Sequence, residues 1–167
     1  MPRLIVCADD FGLDEAVNAA VEQASRDGIL TCASLMVGAS AARDAVARAH
    51  RLPRLKVGLH LVLVDGRPTL PPDAVPDLVD PSGAFDDDML RAGLRFFFSR
   101  RARRQLAAEI RAQFTAFRAT GLMLDHVNAH KHLHIHPTVA ALVIAIGREF
   151  GMRAVRVPAE PWGALRQ

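Results

Sequence analysis

Short apolar runs and amphipathic stretches take turns along this chain, and that alternation limits the folds open to it more than any other feature. Residues 3–8 (RLIVCA) form a continuous apolar run, the pattern of a strand buried on both faces. Asp14 can cap a helix over residues 15–26, with Ala16, Ala20, Val21 and Ala24 on its inner side and Gly28 near its end. A second apolar strand is expected at residues 31–37, then a helix capped by Ser40 and running to residue 51, then a third strand at residues 55–62. Residues 65–86 are a loop rich in proline and aspartate. A helical region over 87–119, interrupted near Ser99, leads to a fourth strand at 122–128. A helix over 138–150 and a fifth strand at 153–157 complete the order. Strands alternating with helices imply right-handed βαβ units and a parallel sheet, so the fold class is α/β. With 167 residues, half of them hydrophobic, the chain suits one domain with a real core.

In parallel sheets function collects at the C-terminal ends of the strands. The first strand ends in Asp9-Asp10, the third carries His60 near its end, and the fourth runs into Asn128 and His130. All these polar groups fall on one rim. Five of the seven histidines lie between positions 126 and 136, and their even spacing puts them on one face of an extended backbone. Taken alone, such a tract could be a solvent-facing histidine-rich loop. Two adjacent carboxylates resist joint ionisation unless a cation joins them. Asp10, His60 and His130 offer one oxygen and two nitrogens to a divalent metal with open positions. Asp9 is then left beside the metal, able to take a proton from water. His132 and His134 follow in the loop above the rim, and either could protonate a leaving amine. His126 reads as a buried structural residue, and His136, beside Pro137 at a helix start, as a capping or surface residue.

Composition narrows the remaining classes. The net charge is +3, and arginine supplies most of the positive charge, much of it at Arg91, Arg95, Arg100, Arg101, Arg103 and Arg104. Nucleic-acid binders interleave such a patch with aromatics or a recognisable module, and a chain with no tyrosine and a single tryptophan shows neither. No stretch reaches the roughly 18 uncharged apolar residues that span a bilayer. The N-terminus turns acidic too early for a secretory signal, so a cytoplasmic protein is expected. Cys7 and Cys32, in neighbouring apolar runs, read as reduced core residues. In residues 96–104 a phenylalanine cluster (Phe96, Phe97, Phe98) meets a basic one. The phenylalanines can belong to the core, with the arginines solvated, or they can insert at a membrane surface with arginines on anionic headgroups. Three consecutive aromatics cannot share one helical face, which favours the first reading.

The motifs Ala8-Asp9-Asp10-Phe11-Gly12-Leu13, Gly58-Leu59-His60-Leu61 and Asn128-Ala129-His130-Lys131-His132-Leu133-His134 resemble the YdjC-like carbohydrate deacetylase family, in its order and over nearly the whole chain. The form His-Val-Asn-Ala-His-Lys-His is most similar to the branch associated with hopanoid biosynthesis. The resemblance implies a TIM-barrel-like (β/α) fold and removal of an N-acetyl group from an amino sugar, free or lipid-linked, with one divalent metal, Mg2+ or Zn2+. It places the metal ligands on Asp10, His60 and His130 and the general base on Asp9. Asn128 and Phe11 are the candidate substrate contacts. Two departures stand out. Many members carry aspartate where this chain has Asn128, which can hold a ligand by hydrogen bonding but cannot act as a base. A complete TIM barrel also needs about 250 residues. A single deacetylase domain over 1–167, stopping after about five strands, is therefore expected to lack its C-terminal part. Residues 158–167 contain nothing that could cover a sheet edge, so either further sequence or a second copy of the chain would do so. A non-catalytic module holding a glycolipid or partner is the competing expectation.

Overall fold

The structure is a computed structural model that describes residues 4–158. Four strands, β1 (Cys7–Phe11), β2 (Cys32–Leu35), β3 (Lys56–Leu61) and β4 (Leu124–Ala129), pair in that order, all parallel. Helix α1 (Glu15–Asp27) joins the first two strands and α2 (Ala42–His50) the next two. Helices α3 (Met89–Phe98) and α4 (Arg100–Ala119) precede β4, and α5 (Pro137–Glu149) follows it. Among the described residues no helix is long and apolar enough to cross a membrane.

The two faces of the sheet differ in chemistry. Ala33, Leu35, Val57, Leu59, Leu61 and Val127 alternate along their strands and are almost fully buried, in one core with Leu106, Ile110, Phe114 and Phe117 of α4. The other set in the alternation is Cys7 and Asp9, Cys32 and Ser34, Gly58 and His60, and Asn128. That second face is polar, and it carries the site.

Several expected elements move. The first strand begins at Cys7 and extends through the two aspartates, so Asp9 and Asp10 lie on the strand and not after it. The pairing runs Ala8 with Ala33 and then Phe11 with Leu35, three steps on β1 against two on β2. This is a β-bulge, a device that re-aims side chains beside functional sites. A second bulge in β4 lies between the pairs Val57–Leu124 and Leu59–Val127. Asp14 caps α1 by accepting from the Val17 amide at 2.8 Å. The buried side of α1 is Asn18 and Val21, while Ala16 and Ala20 face out. The helix turns this way because Asn18, fully buried, accepts from the Gly12 amide at 2.8 Å and donates to the Ala41 carbonyl at 3.0 Å, pinning the turn behind the aspartates. Ser40 does not cap α2; its hydroxyl donates to the Leu13 carbonyl at 3.0 Å.

The expected fifth strand is one parallel bridge between Val127 and Val155. Two backbone hydrogen bonds, Val127 N–H to Ala154 and Arg156 N–H to Val127, make it, and Val157 beyond them is exposed, so there is no burial to extend the ladder. The tail from residue 159 onward lies outside the described residues. Phe96 is buried in the core as expected, but Phe97 and Phe98 are 52% and 75% exposed. With Leu90 and Leu94, also exposed, they lie at helical spacing on the outer side of α3.

Candidate metal centre

Asp10, His60 and His130 each present a ligand atom, and these atoms lie within 4.8 Å of one another. Asp10 Oδ1 is 3.2 Å from His60 Nε2 and 3.1 Å from His130 Nδ1. His60 is 2% exposed and its Nδ1 is 2.6 Å from Asn128 Oδ1. An amide oxygen can only accept, so the ring carries its proton on Nδ1 and its lone pair on Nε2. Among the described residues that buried Nε2 has no hydrogen-bond partner. Burial also holds the His60 pKa below the ordinary histidine value, against the opposing pull of Asn128, Asp9 and Asp10, which favours the neutral ring. A buried lone pair with nothing to accept is costly, and a cation between it and the Asp10 carboxylate resolves the cost. The residues fit a divalent ion.

Asp9 is turned differently. Its Oδ1 accepts from Asn128 Nδ2 at 2.8 Å and its Oδ2 from Arg156 Nη1 at 2.5 Å. Burial works against ionisation here, yet the hydrogen bonds from Arg156 and Asn128 and the nearby His60 outweigh it and bring the pKa down to about 2. Asn128 thus bridges the two functions, fixing a ligand's tautomer with its oxygen and a free carboxylate with its nitrogen. An aspartate at that position would lose the donor and face Asp9 with a like charge.

The backbone is strained around this site. Among the described residues the non-glycine positions with positive φ are Asp10 (58°), Asp65 (49°), Lys131 (51°) and His132 (55°). Such conformations cost about 1–3 kcal/mol each and persist where the surroundings over-determine them. Asp10 is one of the ligating groups, Lys131 and His132 follow His130 in the chain, and Asp65 Oδ2 takes the Lys131 ammonium at 2.6 Å and sits 3.8 Å from His130 Nε2.

The histidines do not share one face. After Ala129 the chain turns into a 3-10 segment, His130–Ile135, kinked at Lys131 and His132. His130 turns to Asp10, while His132 is exposed. His134 is buried, with Nε2 donating to the Arg156 carbonyl at 2.9 Å; its pKa is lowered by burial. His136 sits at the start of α5 without capping it, its ring edge-on to Phe96 and Phe97. Phe11, expected as a substrate contact, is fully buried in the core. Sequence reasoning missed Arg156, Asp65 and Ser34. The same rim rule would have pointed to Arg156, a cation near the end of the fifth apolar run, and to Asp65, just past the third.

A profile of the family described as YdjC-like protein matches residues 3–167. The chain belongs to the YdjC-like family. It is similar to a carbohydrate deacetylase of Brevibacillus brevis, 38% identical over 161 residues, covering 96% of this chain and 60% of that protein. A carbohydrate deacetylase of Vibrio cholerae is 36% identical over 150 residues, covering 89% and 56%. The crystal structure of a candidate cellobiose-phosphate cleavage protein from Enterococcus faecalis superposes with a TM-score of 0.80 at 26% identity, covering 95% of this chain and 60% of that one. The chain therefore spans about three fifths of the length of the relatives it matches.

Proposed function

We propose that this chain carries the metal-ligating part of a hydrolase that removes an N-acetyl group from an amino sugar, with Asp9 as general base. The observation that carries the reading is the division of roles between adjacent carboxylates. Asp10 faces His60 and His130, while Asp9 stays ionised beside them with its oxygens on Asn128 and Arg156. Carbohydrate deacetylases at 36–38% identity support the reaction class. A divalent ion held by Asp10, His60 and His130 would supply Lewis acidity to the amide carbonyl and acidify an attacking water. One oxygen and two nitrogens favour Zn2+ over Mg2+.

Asp9 takes a proton from the water as its oxygen bonds to the acetyl carbon. The amide nitrogen then receives a proton as the C–N bond breaks, giving acetate and a free amine. His132 is the proposed donor, because it is exposed and its ring bonds to no backbone carbonyl among the described residues. His134 is tied to Arg156 and serves to position the loop. Released acetate, measured on N-acetylated chitooligosaccharides and on an N-acetylglucosaminyl lipid, tests the proposal. Acetate is expected to appear, to stop on chelation, and to return with Zn2+. Full metal loading with binding but no acetate would sink it.

One observation favours a second, non-catalytic reading. A pKa of about 2 leaves Asp9 a weak base, far from the near-neutral value that serves proton transfer best. The same assay separates a glycolipid-holding module from an enzyme.

The sequential order of four parallel strands, β1-β2-β3-β4, and the greater length of the relatives support a TIM-barrel-like fold for the longer proteins of this kind. The exposed Leu90, Leu94, Phe97 and Phe98 beside the arginines of α4 support peripheral contact with the inner membrane face, as a hopanoid-linked substrate would require. Co-sedimentation with anionic vesicles is expected, and it should fall in a Phe97→Ser, Phe98→Ser double variant.

A further inference from the structure

A second cluster of ligating groups lies on the polar face of the sheet, one layer toward the strand starts from Asp9 and Asn128. Cys7 and Cys32 are register partners on β1 and β2, and both are free thiols. His126 reaches them from β4, across β3. Gly58 makes that crossing possible: a Cβ there would lie 2.5 Å from His126 Cε1 and 2.5 Å from Nε2. The ring occupies the space that any other residue on β3 would fill.

The geometry is close to that of a metal site. Cys7 Sγ is 3.6 Å from His126 Nε2, and the ligand atoms of Cys7, Cys32 and His126 lie within 4.8 Å of one another. A tetrahedral ion with bonds of about 2.3 Å to sulfur and about 2.0–2.1 Å to nitrogen needs a sulfur-to-nitrogen edge of about 3.6 Å. One edge therefore has that length already. His126 Nδ1 is 3.0 Å from Asp125 Oδ2, the carboxylate–histidine contact that fixes a ligating ring's tautomer and aims its other nitrogen. A cleft of about 240 Å³, lined by Ile5, Cys7, Cys32, Asp125, His126 and Arg156 among others, gives an ion a way in.

We propose that Cys7, Cys32 and His126 form a second metal site, selective for a thiophilic ion of the zinc class and distinct from the Asp10–His60–His130 centre. Thiolates and an imidazole select zinc over the hard cations that a carboxylate-bearing set accepts. Ser34 separates the two sites, its hydroxyl 3.0 Å from His126 Nε2 and 3.1 Å from Asn128 Nδ2.

Cobalt titration of the metal-stripped, phosphine-reduced 167-residue chain tests this, because thiolate-to-cobalt charge transfer absorbs in the near ultraviolet and an Asp–His–His set has no such band. The band is expected in the wild type and in His60→Ala, and its loss in Cys7→Ser and in Cys32→Ser, with zinc content lower by one equivalent in each. A wild-type spectrum without the band, or a band that survives Cys32→Ser, overturns the proposal. Alkylation of the unmodified chain, followed by mass spectrometry, needs no variant to fold. Zn2+ is expected to protect both thiols, and equal labelling with and without Zn2+ would also overturn it.

Discussion

Replacing Asp9 with asparagine is expected to cut acetate release by about 10²–10⁴-fold, the range that a positioned general base contributes, while metal uptake stays at the wild-type level. The two readouts separate because the carboxylate that goes is the one turned away from the ligand set, toward Asn128 and Arg156. Asparagine keeps the size, and its single oxygen can still accept from one of the two donors, Asn128 or Arg156. Wild-type acetate release in the variant would remove Asp9 from the chemistry. Parallel loss of metal would make it a ligand and not a base.

The second large effect is expected at His60. His60→Ala removes a buried lone pair that faces Asp10, and metal affinity should drop by more than the roughly 10–100-fold that loss of an outer partner costs. Asn128→Ala should fall within that 10–100-fold range, because it frees the His60 ring to flip its tautomer without removing a donor atom. His130→Ala should resemble His60→Ala, and His136→Ala, whose ring packs on phenylalanines, should leave uptake unchanged. Isothermal titration with Zn2+ after alkylation of Cys7 and Cys32, which silences the thiol cluster, orders the four variants. Equal affinity in His60→Ala and His136→Ala would dissolve the proposed centre.

Hydrophobic period made the order of elements legible, because buried parallel strands and half-buried helices leave different repeats. The rim rule then gathered Asp9, Asp10, His60, Asn128 and His130 without any coordinates. What it could not read has local physical causes. The polar face of the sheet, with Cys7, Ser34 and Asn128 in apolar runs, looks in sequence like mere interruption of a core strand. The kink at Lys131 and His132 carries none of the glycine or asparagine that usually announces positive φ. Asn18 occupies a core position that periodicity assigns to an apolar residue, because it closes hydrogen bonds with two other segments. Arg156 meets Asp9 across 147 positions of chain, a contact no window of sequence contains.

The bulge in β1 bears on any attempt to move this chemistry elsewhere. On a regular strand, neighbouring side chains look in opposite directions, so two successive aspartates would be strangers, one against the helices and one over the polar face. Here an extra residue in the ladder and the left-handed turn of Asp10 bring both to the same side. The Asp-Asp dipeptide is thus meaningless without its irregularity. Grafted onto an unbulged scaffold it would deliver a ligand or a base, never both, and a one-residue deletion that healed the ladder would uncouple them in this chain too.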